Sequence, residues 1–358
     1  IFLCGGVSHL ESFDVKPELN KYAGKSITET PYAKVLETEG KNIIGGNPGH
    51  GNRKVIMPLQ TGYQPYGQCG LEVGDWFKHI GTCADDLAVV RSLWTIHNDH
   101  GAQLTWQTGR HPRELEHPTL GGWVSYGLGT ENQNLPSFVV IAPELPYAGG
   151  QVFGSDFLPV SHQGTRIVPG PEPISDMNRR SPSAAVQRTE LDMVGYFNSQ
   201  HLNGREDDSN LTARIKSFET AAGMQMEAPE AFDITKESDA TLKMYGLERG
   251  ATSGFGWQCL VARRMAERGV RFIQIFHRGW DTHSNLTGDL PHQAKDVDQG
   301  CAALIKDLKQ RGLLDSTLIV WMGEFGRTPD NPAEMRDKPG RDHNTKAMTM
   351  FFAGGGVK

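Results

Sequence analysis

The run Thr317-Leu318-Ile319-Val320-Trp321-Met322 constrains the fold more than any other part of the chain. It is short, apolar and rich in β-branched residues, which reads as a buried strand. It stops at Gly323, and a carboxylate, Glu324, follows at once. Strands of this kind belong to a sheet covered on both faces by helices. In such open sheets ligands sit beyond the carboxyl ends of the strands, and a glycine there lets the backbone turn sharply and a ligand come close. The segment Gly323-Glu324-Phe325-Gly326-Arg327-Thr328-Pro329, with Gly340-Arg341-Asp342-His343-Asn344 shortly after it, therefore reads as part of a metal site.

Similar runs recur. Residues 1–4, 87–93, 137–142, 271–277 and 347–353 read as further strands, and 71–84, 101–108, 182–222, 228–247, 254–269 and 291–311 carry helical spacing. Gly269 and Gly312 stand where helix stops are expected. Strands alternating with helices predict an α/β fold with a mainly parallel sheet and helices on both faces. Residues 143–180, rich in Pro, Gly and Ser, read as an irregular excursion, and 143–250 as an insertion or cap on a single domain spanning 1–358. Both ends read as cut, since Ile1-Phe2-Leu3-Cys4 begins inside a strand and Phe351-Phe352-Ala353-Gly354-Gly355-Gly356 finishes one.

A net charge of −6 and no lysine or arginine run argue against a nucleic-acid partner. No stretch approaches the apolar length of a transmembrane helix. With 42 glycines against 20 prolines, the composition suits a loop-rich enzyme more than a helical bundle. Five scattered cysteines, Cys4, Cys69, Cys83, Cys259 and Cys301, hold no C-x-x-C pair. Buried free thiols are the expectation, with a Cys69–Cys83 disulfide as the alternative.

Four clusters follow the expected strands. Gly5-Gly6-Val7-Ser8-His9-Leu10-Glu11-Ser12-Phe13-Asp14 offers an imidazole and two carboxylates, His9, Glu11 and Asp14, or else a solvated turn. His97-Asn98-Asp99-His100 places two histidines around an acid ahead of a helix start, where free N–H groups can meet an anion. The alternative is surface histidines with Asp99 as a helix cap. Asp281 and His283 in His277-Arg278-Gly279-Trp280-Asp281-Thr282-His283 supply oxygen and nitrogen donors suited to a hard or borderline divalent ion. Glu324, Asp342 and His343 form the fourth group, beside Arg327 and Arg341, which either hold an oxyanion or make a structural ion-pair network.

These motifs resemble the alkaline-phosphatase and sulfatase superfamily. More closely they resemble a bacterial sulfatase-like group known as domain of unknown function 1501. The resemblance also rests on Trp123-Val124-Ser125-Tyr126-Gly127-Leu128-Gly129 and runs from residue 1 to 358. It implies an alkaline-phosphatase-like fold in which Glu11 or Asp14 stands for a first acid, Asp281 and His283 for an Asp/His pair, Glu324 for a post-strand acid and His343 for a late histidine. Phe325 occupies a place where a histidine is common. Thr108-Gly109-Arg110 matches a sulfatase signature, but no Cys or Ser nucleophile stretch precedes it. The resemblance further implies export, to the periplasm or beyond, and members that continue past Gly354-Gly355-Gly356.

The expected function is metal-dependent hydrolysis of phosphate or sulfate esters by metal-bound hydroxide, with one or two zinc, manganese or calcium ions. His97, His100, Arg327 and Arg341 are the expected catalytic groups, and His9, Glu11, Asp14, Asp281, His283, Glu324, Asp342 and His343 the expected ligands. The substrate would be a small-molecule or glycan ester, with a homo-oligomer or an exported protein partner left open. The alternatives are an exported binding or scaffold protein that keeps the fold without catalysis, and a metal-dependent mutase.

Overall fold

The computed structural model describes residues 1–34, 54–114, 116–332 and 337–357. Seven strands make the central sheet: β1 (Phe2–Leu3), β2 (Leu87–Leu93), β3 (Phe138–Ile141), β4 (Thr165–Ile167), β5 (Phe272–His277), β6 (Ile319–Gly323) and β7 (Met348–Ala353). Their spatial order is β2-β7-β6-β1-β5-β3-β4. The five from β6 to β4 pair in parallel, and β7 alone runs against its neighbours β2 and β6. The longer helices are α1 (Ala102–Thr108), α2 (Leu120–Leu128), α3 (Ala184–Leu202), α4 (Ser209–Phe232), α5 (Phe255–Glu267) and α6 (Leu286–Gln310).

Successive side chains on a strand point to opposite faces, and the core divides accordingly. Leu3, Ile141, Ile275, Ile319 and Trp321 join α5 and α6 in one buried cluster. Phe2, Val140, Phe276 and Met322 join Leu104 and Trp106 of α1 in another. Both faces of the sheet are thus covered, which is why these strands read as continuous apolar runs. Trp321 and Phe351 are cross-strand partners whose rings stack at 5.2 Å, and Phe13 meets Trp321 edge-on at the same separation.

The three central strands end level, with Leu3 opposite both His277 and Gly323. Their following loops therefore converge. Gly5 has φ +121°, and a Cβ there would strike the backbone of Trp280 and Asp281, so only glycine lets the β1 loop pass under the β5 loop. Beyond β6 the chain forms a two-stranded ribbon in which Arg327 lies opposite His343.

Several expected elements are redrawn. Residues 71–84 are not one helix: Leu71–Gly74 pairs with Tyr63–Tyr66 in a hairpin, and only short helical turns follow. The apolar spacing there serves a strand and two turns in succession. The irregular excursion contains β4, too short for periodicity to reveal, which closes the sheet edge against β3. Helices 182–222 and 228–247 become α3 and α4, parted near Gly204, with a short helix Asp239–Met244 after them. Helix 291–311 starts earlier, at Leu286, and accommodates Pro291. All five cysteines are free, four buried and Cys69 exposed.

Replacing Trp321 by Ala empties the centre of the sheet–helix core, and large-to-small changes of this kind cost about 3–5 kcal/mol. Urea denaturation of Trp321→Ala should show a loss of that size, and a change below about 1 kcal/mol would contradict the packing described.

Candidate metal centre

Asp281 sits on the loop after β5, and its carboxylate gathers four partners. Oδ1 lies 2.9 Å from His283 Nε2, 3.0 Å from His343 Nε2 and 2.6 Å from Arg327 Nη2, while Oδ2 lies 3.2 Å from His100 Nε2. Burial alone would raise this carboxyl, but its hydrogen bonds from His100, His283 and His343 and the nearby Arg327 charge hold it far below the usual carboxylate range.

The two histidine rings are fixed from behind. His343 Nδ1 is 2.9 Å from the carbonyl oxygen of Asn98, which can only accept, so Nδ1 carries the proton. His283 Nδ1 faces Asp342 Oδ1 at 3.4 Å in the same sense. As neutral rings both then present bare Nε2 atoms, and as imidazoliums both donate there to Asp281 Oδ1; the two Nε2 atoms face each other at 3.1 Å beside that oxygen. Beyond the Arg327 charge on Asp281 Oδ1, the facing Nε2 atoms of two neutral rings call for a shared positive charge, either an added proton or a cation. Ligands of a tetrahedral ion bound at about 2.0–2.1 Å lie about 3.3 Å apart, so the spacing suits a small divalent ion. Nδ1 donation to a carboxylate or carbonyl is also the usual support of a metal-bound histidine.

Among the described residues two overlapping groups could hold a metal, His100 with Asp281 and His343, and His283 with Asp342 and His343, each with its donor atoms within 4.8 Å of one another. Glu324, fully buried, reaches the cluster through His100. Its Oε1 accepts from Gly5 N at 2.8 Å and Gln103 Nε2 at 3.1 Å and contacts His100 Nδ1 at 2.9 Å, whereas Oε2 has no hydrogen-bond partner. Phe325 packs its ring 4.1 Å from that of His343, and Tyr147 stacks on His100 at 4.4 Å.

The other expected site residues, Arg327 aside, lie apart from this cluster. Glu11 and Arg341 are both fully buried and pair with each other, Arg341 Nη2 standing 2.7 Å from Glu11 Oε1. The remaining Arg341 donors go to the carbonyls of Thr328 and Pro58, so this arginine is committed to structure rather than to a substrate oxyanion. Arg327 is likewise spent on the carbonyls of Gly5, Gly6, Trp280 and Arg341 and on Asp281. His9 accepts from the backbone N–H of Arg327, and burial, with Arg341 nearby, pushes it down to about 3. Asp14 pairs with the exposed Lys16 at 2.6 Å. His97 pairs with Asp99 at 2.8 Å and packs its ring against that of His111, its pKa lowered by burial.

The family model described as a protein of unknown function (DUF1501) matches residues 1–358. The chain belongs to this family. No curated protein matches it. In this DUF1501 chain the structure brings together His100, Asp281, His283, Glu324, Asp342 and His343, with Arg327 at their edge. Gln103, Tyr147 and Arg278 escaped the sequence reading. Gln103 stands one helical turn beyond His100, a spacing that a pattern search around the histidine can find, but Tyr147 comes from an irregular loop with no local signal.

Two outcomes follow from the electrostatics of the DUF1501 site. Burial would lower His100, but its hydrogen bonds to Asp281 and Glu324 win and raise it to about 9. A raised histidine stabilises fully below its unfolded value, about 6.5, and loses that contribution as pH climbs through about 9. The urea midpoint of chelator-treated protein should fall over that window, and His100→Gln should flatten this part of the profile; an unaltered slope in the variant refutes the assignment. Arg327→Met leaves Asp281 without its buried partner, and breaking such pairs costs about 3–5 kcal/mol. Chemical denaturation checks this, and a near-neutral result would remove Arg327 from its structural role.

Proposed function

We propose that the cluster around Asp281 holds a divalent cation and that the protein is a metal-dependent hydrolase of phosphate or sulfate esters, built on an alkaline-phosphatase-like core. The observation that carries this reading is the meeting of His283 Nε2, His343 Nε2 and Asp281 Oδ1, with both rings anchored at Nδ1. Asp281, His283 and His343 would hold the ion, and His100 and Asp342 extend the donor set. The order of donors along the chain, Asp281 and His283 after β5, Glu324 after β6 and His343 later, supports the superfamily likeness. Imidazoles in the set favour zinc or manganese over calcium, which prefers oxygen.

A bound ion of this kind supplies Lewis acidity and acidifies water near neutral pH. The protein's own groups do the rest. Glu324 fixes His100 through Nδ1 and aims its Nε2 at Asp281, which sets that ring at the edge of the cluster. Arg327 keeps Asp281 ionised and oriented. Arg278, on the rim and stacked over Tyr147 at 4.4 Å, retains partial exposure and is the cation best placed to meet an incoming anion.

One observation favours a second reading. Arg327 Nη2, at 2.6 Å, already neutralises Asp281 Oδ1, as suits a fold-retaining binding or scaffold protein with no metal. Elemental analysis of the purified protein separates the two. We expect at least about one equivalent of zinc or manganese, lost in Asp281→Ala and His343→Ala together with hydrolysis of p-nitrophenyl phosphate or sulfate. A metal-free protein, inert toward both esters after reconstitution, would favour the scaffold.

A further inference from the structure

Tyr147 belongs to two features at once. Its ring stacks on His100, and it also lines a cleft of about 590 Å³ that opens beyond the cluster. The cleft is walled by residues following β3 and β5 and by α5 and α6, so it lies beyond the carboxyl ends of parallel strands, where α/β proteins take their ligands.

Beside Glu144, Arg278 and Asp296, its lining includes several neutral polar groups. His277, at the end of β5, accepts the indole N–H of Trp280 at Nδ1 over 3.0 Å. The ring proton of this neutral imidazole therefore sits on Nε2, and burial pushes the group down to about 4, so at neutral pH it offers one N–H donor. Asp296 Oδ2, at 3.9 Å, is too distant to take that donor. Gln258, only 3% exposed, lines the same cleft, and its Oε1 has no hydrogen-bond partner. A buried acceptor left unmade is unfavourable and calls for a donor. Gln293 adds an amide, and Tyr147 and Phe255 add aromatic surface.

An aryl or alkyl group here would leave the Gln258 oxygen and the His277 N–H unpaired. Arg278 also lines the cleft, but Glu144 pairs with it at 3.3 Å, and a second anionic group there would still meet Asp296. A ring bearing several hydroxyls, each both donor and acceptor, with C–H faces to lie against aromatic rings, satisfies all of these surfaces. We propose that the cleft is a subsite for the uncharged, hydroxyl-rich part of the substrate, a sugar, whose ester group extends past Tyr147 to the Asp281 cluster. The placement of the ester rests on the hydrolase reading, whereas the affinity of the cleft for a sugar does not.

Calorimetric titration of the full chain with galactose 6-sulfate, glucose 6-phosphate, free galactose, free glucose and p-nitrophenyl sulfate tests this. The sugar esters should bind better than the aryl ester, and Gln258→Leu should reduce that preference by about tenfold, the scale of one neutral hydrogen bond. Gln293→Ala, at a less buried position, should lower it in the same direction and serves if the Gln258 variant does not fold. Asp281→Ala should weaken the esterified sugars while leaving the free sugars alone. Absence of binding by every sugar, or an unchanged preference in both glutamine variants, overturns the subsite. Free sugars that bind and respond to Gln258→Leu, in a protein that holds no metal and cleaves no ester, support the subsite and remove only the hydrolase reading.

Discussion

The guanidinium of Arg327 is the constraint on which the site depends. It is fully buried and donates to five acceptors: the carbonyls of Gly5, Gly6, Trp280 and Arg341, and the Asp281 carboxylate. Those acceptors belong to the loops after β1 and β5 and to the ribbon after β6. Burial disfavours the charged form and pushes this arginine below its ordinary pKa, and Asp281 opposes the shift. Moving such a charge out of water is tolerable only when its donors are met. Because its acceptors come from three separate chain segments, satisfying one side chain fixes the relative position of all three.

A second buried pair completes the frame. Glu11 and Arg341 tie the β1 loop to the start of the His343 segment, and Ser8 donates a hydrogen bond to Glu11. Arg327, Arg341 and Glu11 are all shut off from solvent, so they act by holding backbone in place. What they leave at the surface is a set of partly exposed donors, His100, Asp281, His283, Asp342 and His343, aimed at one another. Asp281 is the point of contact between the two layers, one oxygen shared by the frame and the cluster. Its carboxylate stays ionised in either reading of the site, because the facing histidines and Arg327 outweigh its burial.

Much of the fold was legible in the residues themselves. β3, β5, β6 and β7 are apolar runs bounded by turn residues, and a strand buried on both faces leaves that mark. α5, with its apolar face and Gly269 as a stop, was equally plain. Strands of three or four residues without a continuous apolar run were not. β4 has only Thr165–Ile167 and owes its existence to β3, and the Leu71–Gly74 strand owes its own to Tyr63–Tyr66. Local spacing carries no record of such partners.

The site divides along the same line. Sequence alone determined that acids and imidazoles follow the strand ends, because a strand, a glycine and a carboxylate in succession state their own geometry. It also named Asp281, His283, Glu324, Asp342 and His343 as residues of that rim. Only the tertiary structure decided that Glu11 and Arg341 face each other and that Arg327 is enclosed by carbonyls. It alone set Tyr147 against His100 and Arg278 over Tyr147. The reason is physical: a side chain's type sets which bonds it can make, but burial and the positions of groups hundreds of residues away set which bonds it does make.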